Sequence, residues 1–240
     1  MADADTDEWM RRLGALPLMY QPGERWAYNT SCDVLGVLVA RVSGKSFEAF
    51  LRERLFDPLG MKDTTFSIPA SKLDRLPEMY WFDHDSKKLA VFDGAQNSEY
   101  SRPPAFESGA GGLVSTVDDY FAFCRMMLNK GVWGRERLLT QTSIESMTSD
   151  QLTPQQRTGA EIFFGSHSSW GFGMSVDIQQ DRPWRIPGRF GWDGSFGTSA
   201  YSDPKNDFIG ILLTQRMMDS PEPPAVLEDF WTHAYRSLEA

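Results

Sequence analysis

FGWDGSFGTSAYSDPKNDFIGILLTQ, residues 190–215, carries the reading that decides the fold. Segments 196–202 and 208–214 are rich in aromatic and branched residues, and Asp203-Pro204-Lys205-Asn206 between them has the composition of a turn. A link this short joins antiparallel neighbours only. Upstream, segment 171–178 reads as a further strand. Downstream, Pro223-Pro224 opens a terminal helix with Val226, Phe230 and Ala234 along one side, suited to lying against the sheet.

Towards the N-terminus the period changes to that of helices. Val34, Leu35, Val37, Leu38, Val39 and Val42 are apolar on most sides of a segment opened by Thr30 or Ser31 and closed by Gly44, which predicts a fully buried helix. Ser46 caps a second, one-sided helix with Phe47, Phe50, Leu51 and Leu55 inward, ended by Asp57-Pro58-Leu59-Gly60. Segment 66–107 is expected to be mostly irregular, with a short hairpin around Asp85-Ser86. Thr116 with Asp119 makes a capping-box-like start to a helix whose inner stripe is Val117, Tyr120, Phe121, Cys124, Met127 and Leu128, and Thr142 with Glu145 opens a shorter one. Helices first, antiparallel strands later and a closing helix give an α+β class, read as a single domain over residues 1–240.

Composition removes several function classes. With 240 residues, 41% of them hydrophobic, the chain can bury a real core. A net charge of −9 without a basic run disfavours nucleic acid and anionic membrane surfaces as partners. No stretch has the length or apolarity of a signal peptide or membrane helix, so a cytoplasmic chain is expected. Cys32 and Cys124 both fall in helical segments, and no disulfide is expected between them. His84, His167 and His233 are isolated and read as surface or structural residues, so no metal and no cofactor are expected. Gly109-Ala110-Gly111-Gly112 lacks the following Lys-Ser/Thr of a phosphate loop, and the Gly-x-Ser-x-Gly elbow of α/β-hydrolases is absent.

Three stretches then gain meaning together: 22–44 (PGERWAYNTSCDVLGVLVARVSG), 108–129 (SGAGGLVSTVDDYFAFCRMMLN) and 190–215. In this order they resemble consecutive landmarks of the serine β-lactamase/penicillin-binding-protein family, in particular its esterase-like, family VIII carboxylesterase-type branch. The resemblance spans roughly residues 8 to 238. It implies a β-lactamase/transpeptidase-like fold and an acyl-enzyme mechanism, in which a serine attacks an ester or amide beside a base and backbone N–H groups stabilise the oxyanion.

By this resemblance Tyr28 would relay a proton and Asn29 would orient substrate, as in the family's Tyr-x-Asn element. The asparagine follows the tyrosine directly here, and the distance to Gly36 is one residue short. Either Tyr28 is the family tyrosine after a contraction or Ala27 holds its position; a tyrosine that merely caps a buried helix is the alternative reading. Trp192-Asp193-Gly194 resembles the Lys-Thr-Gly or His-x-Gly strand, with the Ser195 N–H as half of the oxyanion hole and Gly194 admitting substrate to the backbone. Trp192 replaces the usual cation, which implies neutral esters unless Arg189 restores the charge; equally, Trp192 could fill a sheet face.

The family's nucleophile, the serine of Ser-x-x-Lys on a helix, lies well before the first landmark, and only residues 1–21 precede it here. Ser202-Asp203-Pro204-Lys205 is the one literal match, but proline and the flanking strands make it a turn, not a helix face that sets i beside i+3. The resemblance therefore implies the C-terminal part of a serine hydrolase acting on a small acyl ester or amide, inactive alone. A complementary N-terminal segment or self-association is the expected protein partner. The alternative is a non-catalytic relative that binds a ligand or partner in the inherited cleft. Either way, apolar helix faces and a sheet edge should lie exposed, at about 25 cal/mol for each Å² of apolar surface left in water.

Overall fold

A computed structural model of the chain describes residues 4–239. The described backbone packs as two compact units, residues 4–77 with 93–120 and residues 78–92 with 121–239.

The first unit is helical. α1 (Thr6–Gly14) is capped by Asp5, whose carboxylate accepts the Glu8 N–H, and Trp9 stacks on Phe106 with centroids 4.6 Å apart. α2 (Thr30–Ser43) ends at Gly44 in the left-handed conformation. α3 (Phe47–Leu51) starts at Ser46, which caps the Ala49 N–H as the sequence predicts, and runs through a π-helical turn, Arg52–Phe56, into α4 (Asp57–Leu59), closed by left-handed Gly60. Val37, Phe56, Leu59, Met61, Phe66 and Phe106 are the buried apolar residues of this unit.

Against expectation, α2 is not buried all round. Asp33, Gly36 and Val37 are covered, whereas Leu35, Leu38 and Val42 are 57%, 53% and 80% exposed. The covered face is the one that meets Phe47 and the backbone of Gly109. Residues 35, 38 and 42 lie on the opposite stripe and have no such cover.

The second unit begins with the hairpin foreseen near Asp85, formed by β1 (Met79–Asp83) and β2 (Lys88–Asp93). α5 (Val117–Leu128) crosses the division between the units. Thr116 does cap it, accepting the Asp119 N–H at 3.2 Å, but the Asp119 carboxylate turns instead to the Asp63 N–H and the Thr64 hydroxyl. Its buried stripe is Ala122, Cys124, Met126 and Met127, while Val117, Tyr120 and Phe121 stay exposed. A small hairpin, β3 (Val132–Trp133) with β4 (Glu136–Arg137), leads to α6 (Gln141–Met147), capped by Thr140 rather than Thr142. The short helices α7 (Pro154–Arg157) and α8 (Glu161–Phe164) follow.

The main sheet has five antiparallel strands in sequence order: β5 (Ser168–Trp170), β6 (Ser175–Asp177), β7 (Phe190–Gly194), β8 (Thr198–Asp203) and β9 (Phe208–Leu213). Of the strand expected over 171–178 only Ser175–Asp177 forms, because Gly171 and Gly173 turn the chain between it and β5, with the Gly171 N–H bonded to the Met174 carbonyl. The link of β8 to β9 is the expected turn, with Asp203 Oδ1 accepting the Lys205 N–H at 2.9 Å.

α9 (Ala225–Arg236) packs on one face of this sheet. Its inward stripe is Leu227, Trp231 and Tyr235, one position on from the expected Val226, Phe230 and Ala234; Val226 is exposed. Polar handles settle the choice. The Trp231 Nε1–H donates to Ser199 Oγ at 2.9 Å and the Tyr235 hydroxyl to Asp203 Oδ2 at 2.8 Å, so both aromatic residues bury without orphaning a donor.

Candidate active site

Tyr28 and Asn29 sit at the N-terminal end of α2, in the first unit. Asn29 has φ 78° and ψ −75°, and the Thr30 N–H reaches the Tyr28 carbonyl at 3.2 Å, which makes a γ-turn of the strained, positive-φ kind. Such backbone is rare for a residue with a side chain and concentrates at functional positions. The turn brings two consecutive residues out at the head of a helix. Asn29 contributes no side-chain cap to α2, and Tyr28 is 42% exposed, with its ring 5.8 Å from that of Trp26.

What fixes this helix is the 108–112 loop. Asp33, buried in the first turn of α2, accepts the Ser108 hydroxyl at 2.5 Å and the Ala110 N–H at 3.2 Å, and Ser108 Oγ in turn accepts the Gly111 N–H at 3.1 Å. Gly109 lies so close to the Cys32 carbonyl that a Cβ would overlap its oxygen. The glycine-rich loop is thus a helix-packing element. Neither Asp33 nor Ser108 was legible as important, because nothing in the local sequence pairs residues 75 positions apart.

The second candidate element lies in the other unit. β7 and β8 pair from Phe190 with Ser202 to Gly194 with Thr198, leaving Ser195-Phe196-Gly197 as a three-residue hairpin tip. The Gly197 N–H closes it on the Gly194 carbonyl at 2.9 Å, with Gly197 at φ 78° as this turn requires. Strand pairing consequently starts at Thr198 rather than at the expected 196. Ser195 is exposed at the tip, and its carbonyl accepts the Met218 N–H at 2.8 Å, which fixes the peptide at this position. The space a side chain would need at Gly194 is taken by the Thr198 hydroxyl.

Alternation along β7 separates two environments. Trp192 points to the face opposite α9, edge-on to Trp170 at 4.8 Å and 6.4 Å from Phe163. Asp193 points under α9, where its carboxylate accepts the Ser199 hydroxyl and, at 3.4 Å, that of Tyr201; burial pushes its pKa up. Arg189 shares that second face. It is 1% exposed, pairs with Asp177 at 3.0 Å and lies over the rings of Tyr201 (3.7 Å), Trp231 (4.2 Å) and Trp184 (5.1 Å). Arg189 is therefore a cation of the sheet–helix interior and does not restore charge to a substrate site. The literal Ser-x-x-Lys also fails structurally: Ser202 is buried in β8 and Lys205 lies in the turn beyond.

A profile of the family described as Beta-lactamase matches residues 1–228. The chain belongs to the β-lactamase family. Among its relatives, the uncharacterized protein MT1414 of Mycobacterium tuberculosis is 35% identical over 224 residues, covering 89% of this chain and 54% of that protein. Esterase EstB of Burkholderia gladioli is 26% identical over 246 residues, 95% of this chain and 59% of its own. The LovD6 mutant of simvastatin synthase from Aspergillus terreus superposes with a TM-score of 0.79 at 22% identity, over 97% of this chain and 60% of that one. The fold is accordingly α+β of the β-lactamase/transpeptidase kind. This β-lactamase-family chain spans a little over half the length of the relatives it matches.

Proposed function

We propose that this chain supplies the proton-relay and half of the oxyanion-hole portion of a serine hydrolase acting on small, neutral acyl esters, and that it does not turn such esters over alone. Tyr28 is the proton relay, Asn29 orients the acyl group, the Ser195 N–H donates to the oxyanion, and Trp192 gives an apolar wall where a cation would favour a carboxylate. The observation that carries this reading is the strained backbone at Asn29, which presents an exposed tyrosine and amide in sequence at the head of α2. Esterase relatives support the ester over the lactam. That only Ser202 and Lys205 match the nucleophile motif, and that they sit in a buried strand and a turn, supports inactivity of these 240 residues alone.

The test is a steady-state assay of highly purified chain with p-nitrophenyl butyrate and a chromogenic cephalosporin. Rates at buffer background are expected for both. Turnover that survives purification and disappears in Tyr28→Phe would overturn the inactivity while keeping the role of Tyr28; turnover unchanged in that variant would overturn both.

A further inference from the structure

A cleft of about 290 Å³ opens in the first unit between segment 62–77 and the Val114–Thr116 stretch, and it contains none of the residues assigned above. In a chain of net charge −9 its lining gathers four cations, Arg52, Lys62, Lys72 and Arg75, against one carboxylate, Asp63. These donors converge on a concave, partly apolar space and suit an anion through direct charge-assisted hydrogen bonds rather than through a long-range field, which neighbouring carboxylates balance. Further acidic groups stand nearby: Glu48, which pairs with Arg52 at 3.2 Å; Asp119, which accepts the Asp63 N–H at 2.7 Å; and Asp74, adding its charge beside Arg75. Among the described residues no carboxylate lies within ion-pair distance of Lys62.

Asp63 sits between Lys72 and Arg75, which both donate to it, Arg75 at 2.8 Å, and these bonds hold its carboxyl below the usual range. It behaves as an internal anion, occupying the two donors that an external one would use. Beside this charged wall is an apolar one of Ile68, Leu76 and Val114, and the floor is pinned by paired backbone bonds between Thr65 and Val114 at 3.0 and 3.1 Å. We propose that this cleft binds a small phosphomonoester, its dianion displacing Asp63 from Lys72 and Arg75 while Lys62 closes over it, and its compact apolar group lying on Ile68, Leu76 and Val114. A guanidinium and two ammonium groups suit a phosphoryl group in charge and in donor number, and the volume sits at the small end of ligand sites.

The experiment is isothermal titration of the full chain with phenyl phosphate at low salt, with inorganic phosphate and phenol as separate probes. One saturable site is expected, weakening as salt rises, with phenyl phosphate tighter than either fragment. Lys62→Gln, which breaks no ion pair, should weaken it about fivefold to tenfold, and Asp63→Asn should tighten it by freeing Lys72 and Arg75. No saturable binding, affinity indifferent to Lys62→Gln, or weaker binding in Asp63→Asn overturns the site. Inorganic phosphate binding as tightly as phenyl phosphate overturns the apolar half of the assignment.

Discussion

Asp33 and Ser108, 75 residues apart in sequence, share a 2.5 Å hydrogen bond that ties the first turn of α2 to the glycine-rich loop. The same carboxylate takes the Ala110 N–H, so one buried side chain satisfies a hydroxyl and a backbone donor together. Asp33→Ala leaves the Ser108 hydroxyl without its acceptor and the Ala110 N–H with only Ser108 Oγ, at 3.2 Å. A loss of about 1–3 kcal/mol is expected, read as a lower urea midpoint at unchanged slope, together with faster proteolytic nicking at 109–112. A variant that melts like the parent would show that the loop is held by backbone packing alone.

The carboxyl of Asp193 is raised by burial, so its stabilising contribution is fully present below the unfolded value of 3.8 and is lost as pH rises through the raised one. The parent should therefore lose ground to Asp193→Asn as pH climbs from about 4 towards 7, and the gap should close again in acid. Thermal melts of the two proteins across that range give the answer. A constant difference in Tm would mean that Ser199 and Arg189 fully offset the burial.

Burial pushes the Cys124 thiol up to about 12, which leaves a negligible thiolate fraction near pH 8. Cys32, half-buried, is raised too, first by burial and then by the charge of Asp33. Disulfide-exchange reagents should therefore label Cys32 slowly in native protein and Cys124 only after urea is added. Equal rates for both in the native state would contradict the packing of α5.

Leu35, Leu38 and Val42 form a continuous exposed apolar stripe on α2. Their replacement by glutamine, singly, should change stability by less than about 0.5 kcal/mol, while the triple variant should bind less hydrophobic dye and sediment more uniformly as a monomer. Large destabilisation by any one of the three would mean that the stripe is covered in solution.

Much of the capping and turn chemistry was legible because it is local, although Thr140 caps α6 in place of Thr142 and Asp119 turns to Asp63 and Thr64. Ser46, Gly44, Gly60 and the turn after Asp203 all act where composition placed them. Phase was not legible. Along α9, residues 226, 230 and 234 and residues 227, 231 and 235 are rival stripes at the same helical spacing, and periodicity alone does not choose between them. The choice came from Ser199 and Asp203, which offered acceptors to Trp231 and Tyr235. For the same reason Arg189, three residues before Trp192, looked like a candidate for the site until strand alternation put it on the far face with Asp177.

Sequence by itself determined the α+β class, the antiparallel order of the last strands and the family, because hydrophobic period, turn residues and motif order are written along the chain. Tertiary structure alone decided the strained exposure of Tyr28 and Asn29, the grip of Asp33 on Ser108, the burial of Arg189 in an aromatic cage and the basic cleft around Asp63. Each of these depends on which groups distant in sequence share a small volume from which water is partly excluded. There a charge or donor is worth what its neighbours make of it, and the neighbours are set by packing.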